Sequence, residues 1–183
     1  MERQKVNVMK KKFVSILLTV FMILLFVGCD LDGLDSHNNN ETFEVTDIND
    51  LDQIEYFRSG ALEHILEGEL NKNGQAVGYH YDQLPTKKGE IIEGTETKPN
   101  EVGIYEAEVI VTDVKKTSNG GKSTFFPDEW DSQDVVDAIN EAYEAKTFIN
   151  GNTFEGLTSD GVVIRMYLDN NEQIISAFPV YER

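Results

Sequence analysis

An uncharged apolar run near the N-terminus most constrains what this chain can fold into. Residues 13–27 carry no charged side chain and directly follow Lys10, Lys11 and Lys12. A membrane-spanning helix needs ~20 apolar residues, whereas the apolar core of an export signal needs ~7–15. The run therefore predicts a signal peptide over residues 1–28, which leaves the folded protein to the rest of the chain.

The only cysteine of the chain, Cys29, comes directly after this segment. Residues 25–29 read LFVGC and resemble a bacterial lipobox, in which a small residue precedes a cysteine that is diacylated. The resemblance predicts a lipoprotein anchored through Cys29 to the extracytoplasmic face of the cell membrane, since buried acyl chain contributes ~0.8 kcal/mol per CH₂. The alternative is an uncleaved signal anchor with an incidental thiol.

Residues 29–53 are acidic and contain neither lysine nor arginine. Such a composition cannot bury enough apolar surface to fold, so we expect a disordered acidic tether. The whole chain has a formal net charge of −17. This charge disfavours non-specific binding to nucleic acids, which depends on clustered lysine and arginine. A nucleic-acid substrate would have to be held by few, local contacts.

Residues 54–183 have the length and apolar content of one domain, and their patterns predict an α+β fold. We expect N-terminal helices followed by an antiparallel sheet with a central helix. Helical spacing occupies residues 61–69 and, most clearly, residues 132–143, which start from Asp131 or Ser132 as the N-cap. The buried face of the helix over residues 132–143 is predicted to hold Val135, Val136, Ile139 and Tyr143. Strand patterns cover residues 103–111, 153–157, 162–168 and 173–180, and the last two should join in a hairpin whose asparagines at 170 and 171 take positive φ.

Two histidines of the predicted domain, His64 and His80, are candidates for chemistry. Two imidazoles can serve as an acid–base pair or as a metal pair, because histidine titrates near neutral pH. The sequence lacks a third ligand at zinc-motif spacing. The residues alone leave these two possibilities open, together with two unrelated, hydrogen-bonded histidines.

Two further segments could contact a nucleotide. The glycines before Lys122 let the backbone approach a ligand closely, and the lysine offers a positive charge for phosphate, although a plain surface turn is the alternative. In the last strand, alternation puts Ile174, Ser176 and Phe178 on one face, where a hydroxyl and a ring could hold a base; a stacked base contributes ~1–3 kcal/mol. A core-facing phenylalanine is the alternative.

Taken together, the segments from residue 61 to residue 181 resemble the bacterial EndoU-type endoribonuclease domain. The motifs that carry the resemblance are ALEHILEGE (61–69), GYH (78–80), GTETKPNE (94–101), GGKSTFFP (120–127) and SAFP (176–179). The resemblance implies that His64, His80 and Lys122 are catalytic and that Ser123, Thr124, Ser176 and Phe178 bind substrate. The family has a tyrosine where Phe178 stands, and Tyr181 should face the other way if alternation continues.

What the resemblance implies is cleavage of single-stranded RNA at uridines, with the 2′-OH as nucleophile and a 2′,3′-cyclic phosphate as product. This chemistry requires no metal or other cofactor, although some relatives respond to manganese. The implied partners are RNA, the membrane through Cys29, and an immunity protein if the chain is a surface toxin; we expect a monomer. The alternatives are a non-catalytic binding lipoprotein with the same fold and a metal-dependent phosphodiesterase.

Overall fold

The computed structural model describes residues 47–181, which contain one long α-helix and ten β-strands. The predicted signal peptide, Cys29 and most of the tether lie outside these residues. Within residues 47–181, no helix has both the length and the apolar character needed to cross a membrane. The α+β class predicted from the sequence is confirmed.

The strands form two four-stranded antiparallel arrangements and one short hairpin. The hairpin pairs β1 with β2, one sheet has the order β10-β9-β8-β7, and the other has the order β3-β4-β5 with β6 also paired to β4. In chain order the strands are β1 (Glu69–Leu70), β2 (Ala76–Val77), β3 (Gly89–Ile91), β4 (Tyr105–Val111), β5 (Val114–Lys115), β6 (Lys122–Phe125), β7 (Thr147–Asn150), β8 (Thr153–Leu157), β9 (Val163–Leu168) and β10 (Ile174–Pro179).

The central helix α1 (Ser132–Glu144) has the start that the sequence predicts. The Asp131 carboxylate accepts from the Asp134 amide and the Asp134 carboxylate accepts from the Asp131 amide, which is a reciprocal capping box. Val135, Val136 and Ile139 are fully buried in the main core, which this helix forms with the β7–β10 sheet. Tyr143 is only partly buried and stacks on Tyr56 at the edge. Three of the four predicted core positions are therefore confirmed.

Of the expected N-terminal helices, the described residues contain one short helix and a 3₁₀ turn. The 3₁₀ turn spans Ile48–Asp50, and the helix predicted over residues 61–69 is present over residues 61–67, of which Glu63–Glu67 are π-helical. The Gly68 amide donates to the Glu63 carbonyl, and Gly68 has a φ of +78°, so the chain leaves the helix there. Glycine thus ends the helix two residues earlier than predicted.

The hairpin between β9 and β10 is confirmed, but its positive-φ residue is not an asparagine. Glu172 has a φ of +62°. The Asp169 carboxylate accepts from the amides of Asn171 and Gln173, and this side-chain cap holds the turn. The aspartate fixes the turn geometry, so the left-handed position falls one residue later than predicted.

A second core cluster forms around β4 and β6 and contains Tyr79, Tyr105 and Phe125. The two sheets approach each other where β6 packs beside β10. The π-helical turn contacts β10 at the same end. This junction places residues from distant parts of the chain around one cleft.

Candidate active site

A cleft of about 450 Å³, here called the main cleft, lies at the junction of the sheets. Its lining includes His64 from the π-helical turn, His80 from the segment after β2, and Ser176 and Phe178 from β10. Four of the residues that the sequence suggested for chemistry or substrate binding therefore lie around one space. Ser176 is 112 residues from His64 along the chain, and their side chains are 3.1 Å apart.

Backbone hydrogen bonds fix the two histidine segments against each other. The Tyr79 amide donates to the His64 carbonyl at 3.0 Å, and the His80 amide donates to the Ile65 carbonyl at 2.7 Å. Gly78 has a φ of +71°, and a Cβ at this position would lie 1.9 Å from the His64 oxygen. Only glycine permits this approach. The GYH motif thus sets the spacing between the imidazoles.

His80 is buried, with 5% of its surface exposed. Its Nδ1 lies 2.7 Å from the Thr124 carbonyl oxygen, which can only accept, so Nδ1 carries a proton. Burial, followed by the charge of Lys116, holds the pKa of His80 well below its ordinary value. The ring is therefore neutral at pH 7, and Nε2 retains a lone pair.

His64 has different partners. Its Nδ1 lies 3.0 Å from a carboxylate oxygen of Glu69, and its Nε2 lies 3.1 Å from the Ser176 hydroxyl. Burial lowers the pKa of His64, and the hydrogen bond and charge of Glu69 oppose that effect. A carboxylate hydrogen-bonded to Nδ1 stabilises the imidazolium form of His64, and His80 has no such carboxylate partner within the described residues. The pKa of both imidazoles is thus lowered, and only His64 has a carboxylate partner that opposes the effect.

Lys116, which the sequence reasoning missed, lies in the main cleft with both histidines. It is 4% exposed and its ammonium donates to the Gly78 carbonyl at 3.1 Å and to the Ser123 hydroxyl at 2.7 Å. Burial lowers the pKa of Lys116 to about 8. Its charge lowers the pKa of both imidazoles. No local pattern distinguishes it from its neighbour Lys115, because its burial depends on partners far along the chain.

Lys122 lines a neighbouring space of about 250 Å³, here called the second cleft. The two clefts share His80, Asn119, Tyr167 and Phe178. The Lys122 ammonium is 3.6 Å from a carboxylate oxygen of Glu106. The structure therefore places Lys116, rather than Lys122, in the cleft that both histidines line.

Alternation along β6 separates the two hydroxyls that were predicted to bind substrate. Ser123 is buried, accepts from Lys116 and donates to the Gly78 carbonyl, so it supports the lysine. Thr124 lines the second cleft. Its buried hydroxyl oxygen has no hydrogen-bond partner within the described residues. Of the two residues, only Thr124 has a hydroxyl without a partner, and that oxygen is buried beneath the cleft surface.

A β-bulge changes the predicted faces of β10. The register with β9 shifts between Ile174 and Ser176, so Ile174 is fully buried in the core instead of sharing the face of Ser176 and Phe178. The Phe178 ring stacks on His80, with centroids 5.1 Å apart and planes at 20°. The strand ends at Pro179, and Tyr181 lines the second cleft with Phe178. The alternation on which the expectation for Tyr181 depended therefore does not continue to that residue.

No group of three or more His, Cys, Asp or Glu side chains within residues 47–181 is arranged to hold a metal ion. The main cleft instead presents a neutral imidazole, an imidazole paired with a carboxylate, and a buried ammonium. These are the groups of general acid–base catalysis with charge stabilisation, as used on phosphate esters. These groups suit acid–base cleavage of a phosphodiester.

Comparison with known proteins agrees with this chemistry. The family model described as bacterial EndoU nuclease matches residues 59–181, so the chain belongs to the bacterial EndoU nuclease family. A protein named "Toxin" from Bacillus cereus (strain ATCC 14579) is 52% identical over 132 residues, which are 72% of this chain and 24% of that protein. The chain thus spans about a quarter of this relative. No solved structure matches the chain.

Proposed function

We propose that this domain is an endoribonuclease that cleaves single-stranded RNA by transesterification. The 2′-OH attacks the adjacent phosphorus, the bond from phosphorus to the 5′-oxygen breaks, and the products are a 2′,3′-cyclic phosphate and a 5′-hydroxyl. The observation that carries the proposal is the pair of imidazoles with complementary hydrogen bonding in one cleft with Lys116. Family membership supports it.

His80 acts as the general base in this proposal. Its Nδ1–H is held by the Thr124 carbonyl, so Nε2 is the nitrogen that can take the proton of the 2′-OH. His64 acts as the general acid, because the Glu69 carboxylate stabilises the protonated ring that must deliver a proton to the 5′-oxygen. His80 takes up one proton and His64 releases one, so the total number of protons on the two imidazoles is unchanged over the step.

Lys116 stabilises the charge that develops on the phosphoryl oxygens. It is buried, close enough to affect both imidazoles, and fixed by the Gly78 carbonyl and Ser123. A preorganised ammonium in a site that excludes water stabilises a transition state more than one in solvent does. We propose this role for Lys116, and Lys122, which the family resemblance implies is catalytic, stays a candidate for the same role from the second cleft, which also contains His80.

The base of the attacked nucleotide is proposed to lie between Phe178 and Thr124, because His80 lines both clefts. The Ser176 hydroxyl can hydrogen-bond a base edge after it leaves His64, and the buried Thr124 hydroxyl can do so only after its side chain turns into the cleft. Phe178 presents a ring without a hydroxyl, so uridine preference rests on these two hydroxyls.

We also propose a location and a biological role. The lipobox resemblance, the acidic residues 29–53 and the B. cereus relative named "Toxin" support a nuclease toxin held outside the cell membrane through Cys29. The proposed partners are single-stranded RNA, the membrane and an immunity protein, and the proposed state is a monomer. Anchoring would keep the enzyme away from the RNA of the cell that makes it.

The experiment compares cleavage of a short uridine-containing RNA and the DNA of the same sequence by the purified protein, with and without EDTA. RNA cleavage to a cyclic phosphate, identified by mass spectrometry, is expected in both conditions, and DNA should stay intact. His64→Ala, His80→Ala and Lys116→Met should each lower kcat by about 100-fold or more. EDTA-sensitive cleavage would favour the metal-dependent alternative, and no cleavage at all would favour a binding module.

A further inference from the structure

Arg58 is the only arginine among the described residues that line the main cleft, and the proposed chemistry gives it no role. Residues 47–181 contain ten lysines and arginines and 26 aspartates and glutamates. Although carboxylates are so abundant, Arg58 makes no ion pair and no side-chain hydrogen bond within these residues. All five N–H donors of its guanidinium are therefore available to a ligand.

The other cation of the main cleft, Lys116, is held differently. It is buried, and its ammonium donates to the Gly78 carbonyl and the Ser123 hydroxyl. Arg58 is exposed. A guanidinium presents its donors as a planar fork that matches two oxygens of a phosphate, so Arg58 suits a phosphate that enters from solvent.

Backbone hydrogen bonds hold Arg58 between the two elements that carry the site. Its amide donates to the carbonyl of Ile174, the first residue of β10, at 2.9 Å. Its carbonyl accepts from the Ala61 amide, at the start of the helix that carries His64, also at 2.9 Å. Arg58 therefore extends from a fixed backbone position, which lowers the cost of ordering it around a ligand.

Arg58 lies on the His64 side of the site. After burial and the charge of Lys116, the charge of Arg58 lowers the pKa of His64, whereas burial, Lys116 and His64 lower the pKa of His80. A charge acts most strongly on the group nearest to it. Arg58 also lines the main cleft and not the second cleft, which His80 shares.

We propose that Arg58 binds the phosphate on the 3′ side of the leaving nucleotide. This inference rests on the proposed function, in which His64 protonates the 5′-oxygen of that nucleotide. The leaving nucleotide then begins at His64 and continues toward Arg58, away from the second cleft and the base of the attacked nucleotide. The enzyme therefore prefers a leaving nucleotide that carries a 3′-phosphate, as every internal nucleotide of an RNA does.

The test uses two oligonucleotides made of two deoxyadenosines, one uridine ribonucleotide and a third deoxyadenosine, which end in a 3′-hydroxyl or a 3′-phosphate. Each has a single 2′-OH, so only one bond can be cut. Because one exposed charge pair is a weak contact, wild type should show about a threefold higher kcat/KM on the 3′-phosphorylated substrate. Arg58→Met should bring this ratio close to one. Arg58→Lys keeps the charge without the planar fork and should give an intermediate ratio.

Lys98→Met is the matched control. Lys98 is also exposed and also lacks an ion pair and a side-chain hydrogen bond within residues 47–181, but it lines neither cleft. Its removal changes the net charge by the same amount, so the ratio should stay at the wild-type value. Raising the salt concentration from about 0.05 M to about 0.5 M should lower the ratio in wild type without any substitution.

The outcomes separate the inference from the proposed function. Equal cleavage of both substrates by wild type, or a wild-type ratio in Arg58→Met, would overturn the 3′-phosphate site and leave the ribonuclease proposal standing. Equal, large losses on both substrates in Arg58→Met would also overturn it, because Arg58 would then act at the scissile phosphate. Cleavage of a longer RNA but of neither oligonucleotide would count against the site, since the 3′-phosphorylated substrate contains every contact that it requires. Cleavage of no RNA at all by wild type would reject the proposed function and this site with it.

Discussion

Replacing Gly78 with alanine should separate the histidine segments, and the structure provides a matched control. Gly78 and Gly74 both have a φ of +71°, and both lie in the β1–β2 region. A Cβ at Gly74 meets nothing within 4 Å, whereas a Cβ at Gly78 would lie 1.9 Å from the His64 oxygen. Both alanine variants carry the cost of a left-handed backbone, and only Gly78→Ala also carries the clash with the His64 carbonyl. The difference between the two variants therefore measures the effect of that clash.

The magnitude follows from the contacts that must change. The left-handed conformation costs alanine ~1–2 kcal/mol, and this is the whole expected loss for Gly74→Ala. Gly78→Ala must also move the His64 carbonyl by more than about 1 Å, which strains the Tyr79–His64 and His80–Ile65 hydrogen bonds, each worth ~0.5–1.5 kcal/mol. The free energy of unfolding should fall by about 3 kcal/mol. A misplacement of ~1 Å costs catalysis ~100-fold.

The free energy of unfolding is measured by urea unfolding, with Trp130 fluorescence as the signal, because Trp130 is the only tryptophan and packs against the main core. RNA cleavage under conditions where both variants are folded measures the catalytic term. Equal losses of stability in the two variants, with full activity in Gly78→Ala, would refute the argument that this contact sets the histidine spacing.

Two other predictions concern Lys116 and Cys29. Lys116→Met removes a charge that lowers the pKa of both imidazoles, so both histidine pKa values should rise in an NMR titration, whereas Lys122→Met should leave them unchanged. Unchanged imidazole titrations in Lys116→Met would contradict the placement of Lys116. In wild type, kcat/KM should peak below pH 6.5, between the two lowered histidine pKa values, and should fall as the pH rises above that peak. Cys29→Ser should abolish lipid labelling and move the chain out of the membrane fraction, and a membrane-bound, unlabelled wild type would instead indicate an uncleaved anchor.

Local sequence patterns determined the elements whose signals are local. The capping residues and apolar spacing of α1 predicted its start and buried face, and alternation predicted β4, β8, β9 and β10 within two residues at each end. The same patterns missed the six short strands β1, β2, β3, β5, β6 and β7, because strands of two to four residues depend on partners rather than on their own alternation. The motifs of the family resemblance located both histidines and Ser176.

Tertiary structure decided which charges surround the histidines and which partner each ring nitrogen has. Lys116 and Lys122 are both lysines near a glycine-rich loop, and only the buried contacts of Lys116 with the Gly78 carbonyl and Ser123 place it in the main cleft. The bulge in β10 likewise sends Ile174 into the core, although alternation puts it beside Ser176. The acid and base roles proposed for His64 and His80 depend on Glu69 and on the Thr124 carbonyl. Sequence patterns record what a residue is and how its neighbours repeat, whereas protonation and burial depend on partners that only the folded chain brings within 3 Å.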